Sequence, residues 1–235
     1  MNIIQESIKD LKLGNHRARR KHIEKMLDYY EGENTVKYIQ NKFKAEAFKE
    51  VPPLFINFTH RFINKMARIY RTGATRNVSD QYSALTQFKN VKLKHIERLA
   101  KLLGTVAVRI SYNEITKQLD YHPIYHYHPF VTDENPLTPY AISYEINSSS
   151  DDVSADSNTS YVYLDIERFI QYNSEGVIIK EVEHNYGVLP VTFIHREPQI
   201  DSHFVSGASD IIQANEAVNI LFTELCLGGR FQAFG

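Results

Sequence analysis

The chain has 235 residues, enough for one or two domains with a buried core. Its 27 Lys and Arg against 28 Asp and Glu leave a net charge of -1, and 43% of it is apolar. That excludes a disordered chain and lends no support to an obligate polyanion binder. A single cysteine, Cys226, excludes an internal disulfide framework and a multi-cysteine metal site, and no apolar run approaches the ~20 residues that span a bilayer.

The average hides an asymmetry. Residues 1–101 carry 21 Lys/Arg and 10 Asp/Glu, while residues 102–235 carry 6 and 18. A bipolar chain of this kind suits packing between copies, or simply two differently solvated halves. The first fifteen residues contain acids and no long apolar stretch, so they do not read as a signal peptide.

In chain order, the first predicted element is a helix over 16–31, N-capped by Asn15 and stopped at Gly32. Ile23, Met26, Leu27 and Tyr30 form its apolar stripe. Arg17, Arg19, Arg20, Lys21 and Lys25 are read as its opposite face, wet by default and able to bind phosphates. Residues 33–50 are polar and show no clean period. Pro52 and Pro53 then break the chain before a helix over 57–71, whose expected core face is Phe58, Phe62, Met66 and Ile69. A third helical pattern covers 81–103, irregular near Asn90 and ended by Gly104.

From Gly104 the period changes to two. Strands are predicted over 104–113, 118–127, 130–132, 140–146, 161–172, 176–184 and 191–194. The Ser/Asp-rich stretch 147–160 reads as a hairpin excursion. Asp151, Asp152 and Asp156 do not match calcium-loop spacing. A last helix is expected over 210–227, capped by Ser209 and ended by Gly228-Gly229. Ile211, Ile212, Ala214, Val218, Leu221, Phe222 and Leu225 make it largely apolar. The fold class is therefore α+β: N-terminal helices, a mostly antiparallel β region, then a long apolar helix.

Catalytic chemistry is hard to find. His122, His126 and His128 share strand parity, and His126 and His128 would lie about 7 Å apart on one face, close enough for one metal. No carboxylate sits at ligand spacing beside them, and a half-buried aromatic strand explains the segment equally. Cys226, inside an apolar helix, reads as a small buried hydrophobe. No Ser-centred elbow, glycine-rich phosphate loop or paired His-Asp signature is present. The reading is a non-enzyme with no cofactor and no metal. A basic helical nucleic-acid-binding module with an appended β domain is the alternative.

The order of parts carries a resemblance. Tyr29-Tyr30-Glu31-Gly32 ends a helix. Diproline leads into Asn57-Phe58 and Asn64-Lys65-Met66-Ala67-Arg68. A small-residue strand follows from Gly104. The β region then leads to Gly207-Ala208-Ser209-Asp210, Asn215-Glu216, Asn219, Thr223 and Leu225, and to Phe231-Gln232-Ala233-Phe234-Gly235. This resembles the N-terminal part of tailed-bacteriophage portal proteins over nearly the whole chain. The resemblance implies a ring, generally of twelve subunits, at one capsid vertex of the virion. Such a ring conducts double-stranded DNA during packaging and ejection, and it meets the terminase large subunit, capsid and scaffolding proteins, and neck or adaptor proteins. Residues 1–205 would be the wing (helical 1–103, β-rich 104–205), 206–228 the first stem helix and 229–235 the start of the clip, with the chain continuing beyond. Asp210, Glu216 and Glu224 are the candidate acidic residues of the stem, expected to repel DNA or else to cap the helix or pair with a neighbour.

Overall fold

Two backbone periods set the architecture, a helical one before Gly104 and a strand one after it. The protein was analysed as a computed structural model that describes residues 3–12, 14–43, 54–70, 77–86, 89–147 and 159–234. The helices are α1 (Ile3–Lys12), α2 (Gly14–Glu31), α3 (Thr35–Gln40), α4 (Phe58–Met66), α5 (Asp80–Leu85), α6 (Asn90–Leu103) and, at the end, α7 (Ser209–Phe234). The strands are β1 (Thr105–Asn113), β2 (Gln118–Ile124), β3 (Tyr127–Phe130), β4 (Ala141–Asn147), β5 (Thr159–Leu164), β6 (Arg168–Asn173), β7 (Ile178–Glu183) and β8 (Val191–His195). They form two antiparallel sheets, β2-β1-β8 and β3-β4-β5-β6-β7. A mixed α+β fold with antiparallel sheets is thus what the sequence encodes.

The layers follow from side-chain parity. On β1, Val106 and Val108 face the helices, where they join Ile23, Met26, Tyr30, Ile63, Ile96 and Leu103. Ala107 points the other way and packs with Tyr127, Ile142, Tyr144, Val162 and Leu164 of the second sheet. The far side of that sheet buries Tyr161, Tyr163, Ile170 and Tyr172 under Ile4, Ile8 and Leu11 of α1. The order is helices, three-stranded sheet, five-stranded sheet, α1. Because β5 is covered on both faces, it reads as a continuous apolar run rather than an alternating one.

Several boundaries differ from the sequence reading. α1 and α3 were not anticipated, although Ile4, Ile8 and Leu11 have helical spacing. Asn15 is not a cap, since α2 already starts at Gly14. Asn57 does cap α4, its side chain accepting from the His60 amide at 2.9 Å. That helix ends at Met66 and turns a different face inward. Thr59 and Ile63 are buried, while Phe62, Met66 and Ile69 are exposed. The predicted 81–103 helix is two helices, α5 and α6. The predicted 118–127 strand breaks at Tyr125-His126, and its ends lie in different sheets. The predicted 161–172 strand is a hairpin. The Asp165 carboxylate accepts from the amides of Glu167 and Arg168 at 2.8 and 2.6 Å and turns the chain. Residues 148–158, with Asp151, Asp152 and Asp156, lie outside the described residues, as do Pro52 and Pro53.

One backbone crossing fixes where α7 begins. Gly104, at φ 86°, closes α6, and segment 205–208 passes directly over it. A Cβ on Gly104 would lie 2.0 Å from the Val205 carbonyl oxygen, and one on Gly207 2.4 Å from that of Leu102. The Ala208 amide donates to the Leu102 carbonyl at 2.8 Å, and the Arg196 guanidinium donates to the Gly207 carbonyl at 2.9 Å.

The final helix departs most from expectation. It does not stop at Gly228-Gly229 but continues through them as a helix of 26 residues, roughly 39 Å long. Nor is it the expected apolar rod. Its buried side carries Ile212, Asn215, Asn219 and Thr223, whereas Leu221, Phe222 and Leu225 are exposed. Cys226, expected to be buried, is exposed as well. No helix among the described residues is long and apolar enough to cross a membrane.

Candidate functional site

Two regions place polar side chains where apolar ones are usual. The first is the inner row of α7. Asn215, Asn219 and Thr223 recur every four residues and so share one face. They meet the extended segment 54–57. Asn219 Oδ1 accepts from the Ile56 backbone amide at 2.6 Å, and Asn219 Nδ2 donates to the Ile56 backbone carbonyl at 3.1 Å. Thr223 Oγ1 accepts from the Leu54 amide at 3.3 Å, and Asn215 Nδ2 donates to Thr59 Oγ1 at 3.1 Å. The row thus acts as a substitute strand edge for a chain segment that has no sheet. Next to it, the Tyr30 carbonyl accepts from Asn57 Nδ2 at 3.1 Å, and the Tyr30 hydroxyl donates to Asn64 at 3.3 Å. Tyr30, Asn57, Asn64, Asn219 and Thr223, all part of the sequence motifs quoted above, converge on this one joint.

Outside the row, α7 leaves an apolar groove of about 540 Å³ against α4, lined by Phe58, Phe62, Ile211, Ala214, Val218 and Phe222. Leu225 and Cys226 continue the same side of the helix by three- and four-residue steps. The three acidic candidates are not together. Asp210 is exposed in the first turn of α7 and borders the groove. Glu224 is exposed, about 40° round the axis from Asp210. Glu216 turns away from both, to α2, and pairs with Lys25 at 2.6 Å.

The second region is a cleft of about 290 Å³ between the α1–α2 junction and the five-stranded sheet. The apolar stripe of α2 explains it. Extended toward the N-terminus by the same three- and four-residue steps, Ile23 is preceded by Arg20, Arg19 and His16. Arg19 and Arg20 are therefore on the inward side, not the wet face the sequence reading gave them. Lys25 also turns to protein, through Glu216. Arg20 donates to Glu24 at 3.0 Å and to Glu145 on β4 at 2.5 Å. Arg19 has no acidic partner among the described residues. Its guanidinium lies 3.5 Å over the Phe204 ring, and its Nε and Nη2 are buried without a hydrogen-bond acceptor. Burial pulls its pKa down to about 10.

The histidines divide between these surroundings. His126 lines the cleft with a buried Nδ1 that has no partner. Burial, then Arg20 and Arg19, push its pKa down to about 4. His16 is lowered to about 4 by burial and by His128. His128 Nε2 lies 3.5 Å from Asp10, and its ring is 5.2 Å from that of His16. His122 is in the other sheet and bonds Ser111 at 2.9 Å. The strand spacing that would have put His126 and His128 on one metal does not hold, because the chain changes sheets between them. Among the described residues no group of three or more His, Cys, Asp or Glu could hold a metal ion. The sequence reading missed His203. Its ring accepts the Tyr127 hydroxyl proton at Nε2 (2.8 Å) and donates from Nδ1 to the Leu137 carbonyl at 3.0 Å, a buried neutral latch whose pKa burial lowers to about 4.

Compared with known proteins, the chain matches no family model and no curated sequence.

Proposed function

We propose that the chain is a structural, non-enzymatic subunit of a ring-shaped assembly of the portal type, through which double-stranded DNA passes at a capsid vertex. The observation that carries this reading is the inverted burial of α7. Its polar row is satisfied inside the subunit, and its Leu221, Phe222, Leu225 and groove face outward. An exposed apolar face on a long helix is covered in a working protein, and identical neighbours round a rotation axis cover it with one repeated contact. The exposed apolar residues of the edge strand β7, Ile178, Ile179 and Val182, add a second surface of the same kind. In this reading residues 1–205 form the wing and α7 the first stem helix. The ring, of about twelve copies by family resemblance, meets the terminase large subunit, capsid and scaffolding proteins and neck proteins in the virion. Asp210 and Glu224 remain candidates for a DNA-repelling lining, whereas Glu216 is occupied by Lys25.

The alternative, a basic helical nucleic-acid-binding module, loses support because Arg20 and Lys25 are paired with carboxylates of the same chain and Arg19 lies over the Phe204 ring. Electron microscopy of the full-length gene product tests the choice. Rings with a central hole are expected. Compact monomers at assembly-competent concentration, with salt-dependent binding of free DNA, would overturn the ring reading in favour of the module.

A further inference from the structure

We propose that the cleft between the α1–α2 junction and the five-stranded sheet is a binding site for one small phosphate-class oxyanion, inorganic phosphate or a phosphomonoester. Four cations, Lys12, Arg17, Arg19 and Arg20, line it against one carboxylate, Glu145. Arg20 already satisfies that carboxylate and is itself shared with Glu24. Arg19 is left with a desolvated charge, two buried unpaired nitrogens and only an aromatic face beneath it. An uncompensated buried guanidinium is costly, and an anion is what relieves it. Turned from the Phe204 face toward the cleft that Arg19 lines, its planar donor fork matches an oxyanion with two acceptor oxygens. His126, which also lines the cleft, has a further buried nitrogen, Nδ1, without a partner. The contrast with α7 makes the inference specific. There, each polar side chain of the inner row has found a partner within the subunit.

Size selects among phosphates. A cleft of about 290 Å³ accepts a phosphate or a small phosphomonoester and is far too narrow for a duplex. The site is therefore separate from DNA passage and does not rest on the ring reading.

The test is isothermal titration with inorganic phosphate at constant ionic strength, with chloride as the matched control and a short DNA duplex as a competitor. One phosphate per chain is expected, with heat unaffected by the duplex. Arg19→Met should weaken binding about tenfold or more, the loss of one charge-assisted pair. Should that variant fail to fold, the exposed rim pair Lys12→Ala and Arg17→Ala keeps the question open to decision and should weaken binding about tenfold together. Sulfate, whose charge is constant over this range, should bind several-fold tighter at pH 5 than at pH 8. His16, which faces His128, Arg19 and Asp10, and His126, which faces Arg20, Arg19 and His16, would take up protons beside the anion. Phosphate binding no better than chloride, binding unchanged in the rim variant, or displacement of phosphate by the duplex would each overturn the proposal.

Discussion

α2 and α7 both bury polar side chains on the side where an apolar stripe is usual, and they resolve the cost differently. On α7 the buried row meets a backbone segment that needs partners, and Asn219 meets both the donor and the acceptor of Ile56. On α2 the half-buried Arg20 meets the carboxylates of Glu24 and Glu145, while Arg19 meets the Phe204 ring and ends with unpaired nitrogens. A satisfied buried row holds a fold together, while an unsatisfied one leaves a site with something still to bind. What each helix shows the solvent differs too. α2 presents ordinary charge, and α7 presents leucine and phenylalanine.

The comparison can be broken at several points. The strongest is the anchor of α7. Gly207→Ala puts a Cβ 2.4 Å from a backbone oxygen, and we expect a loss of more than about 4 kcal/mol in urea unfolding or no soluble protein. A variant as stable as the parent would show that the crossing is not tight. Next is the inner row. Asn219→Leu removes both partners of Ile56 and should lower stability by about 2–3 kcal/mol. A change below about 0.5 kcal/mol would mean that water replaces the side chain freely.

Acid should act on the histidines. His16, His126 and His203 have folded pKa values near 4, below the ordinary 6.5. The unfolded chain therefore binds more protons between pH 6.5 and 4. Stability is complete above pH 6.5 and falls as the pH drops toward 4. Thermal scans at pH 7 and pH 5 should differ by at least about 3 °C, a ΔΔG near 1 kcal/mol for a chain of this size. A flat profile would mean these rings are solvated. The smallest effect sharpens the contrast most. Arg19→Met, which replaces an uncompensated charge by a thioether of similar length, should leave stability within about 1 kcal/mol or raise it. A loss above about 2 kcal/mol would show that Arg19 serves the fold, as Asn219 does.

Much of this was legible in the sequence because it was local. The stripe Ile23–Tyr30, the stop at Gly104 and the alternation of Val106 and Val108 each report on their own neighbourhood, and each folds as read. What was misread depended on a partner elsewhere. Phe62 and Ile69 have the spacing of a core face, yet the core took Thr59 and Ile63 because α2 and α6 approach from that side. Nothing in the alternation of 118–127 marks the change of sheet, which depends on where β4 lies. Arg19 and Arg20 could have been placed by carrying the α2 stripe one turn further back. The polar row of α7 could not, since its partner is a segment more than 150 residues away.

Cys226 offers the most direct test of the outward face of α7. It is the only cysteine in the sequence, and it is exposed beside Leu225 and Phe222. The measurement is the rate at which a maleimide labels Cys226, followed at that residue by peptide mapping, as protein concentration rises. If neighbours cover this face, labelling should slow by about tenfold or more across the assembly range, since a thiol shielded in an interface reacts slowly. A rate that stays the same at every concentration would contradict the account.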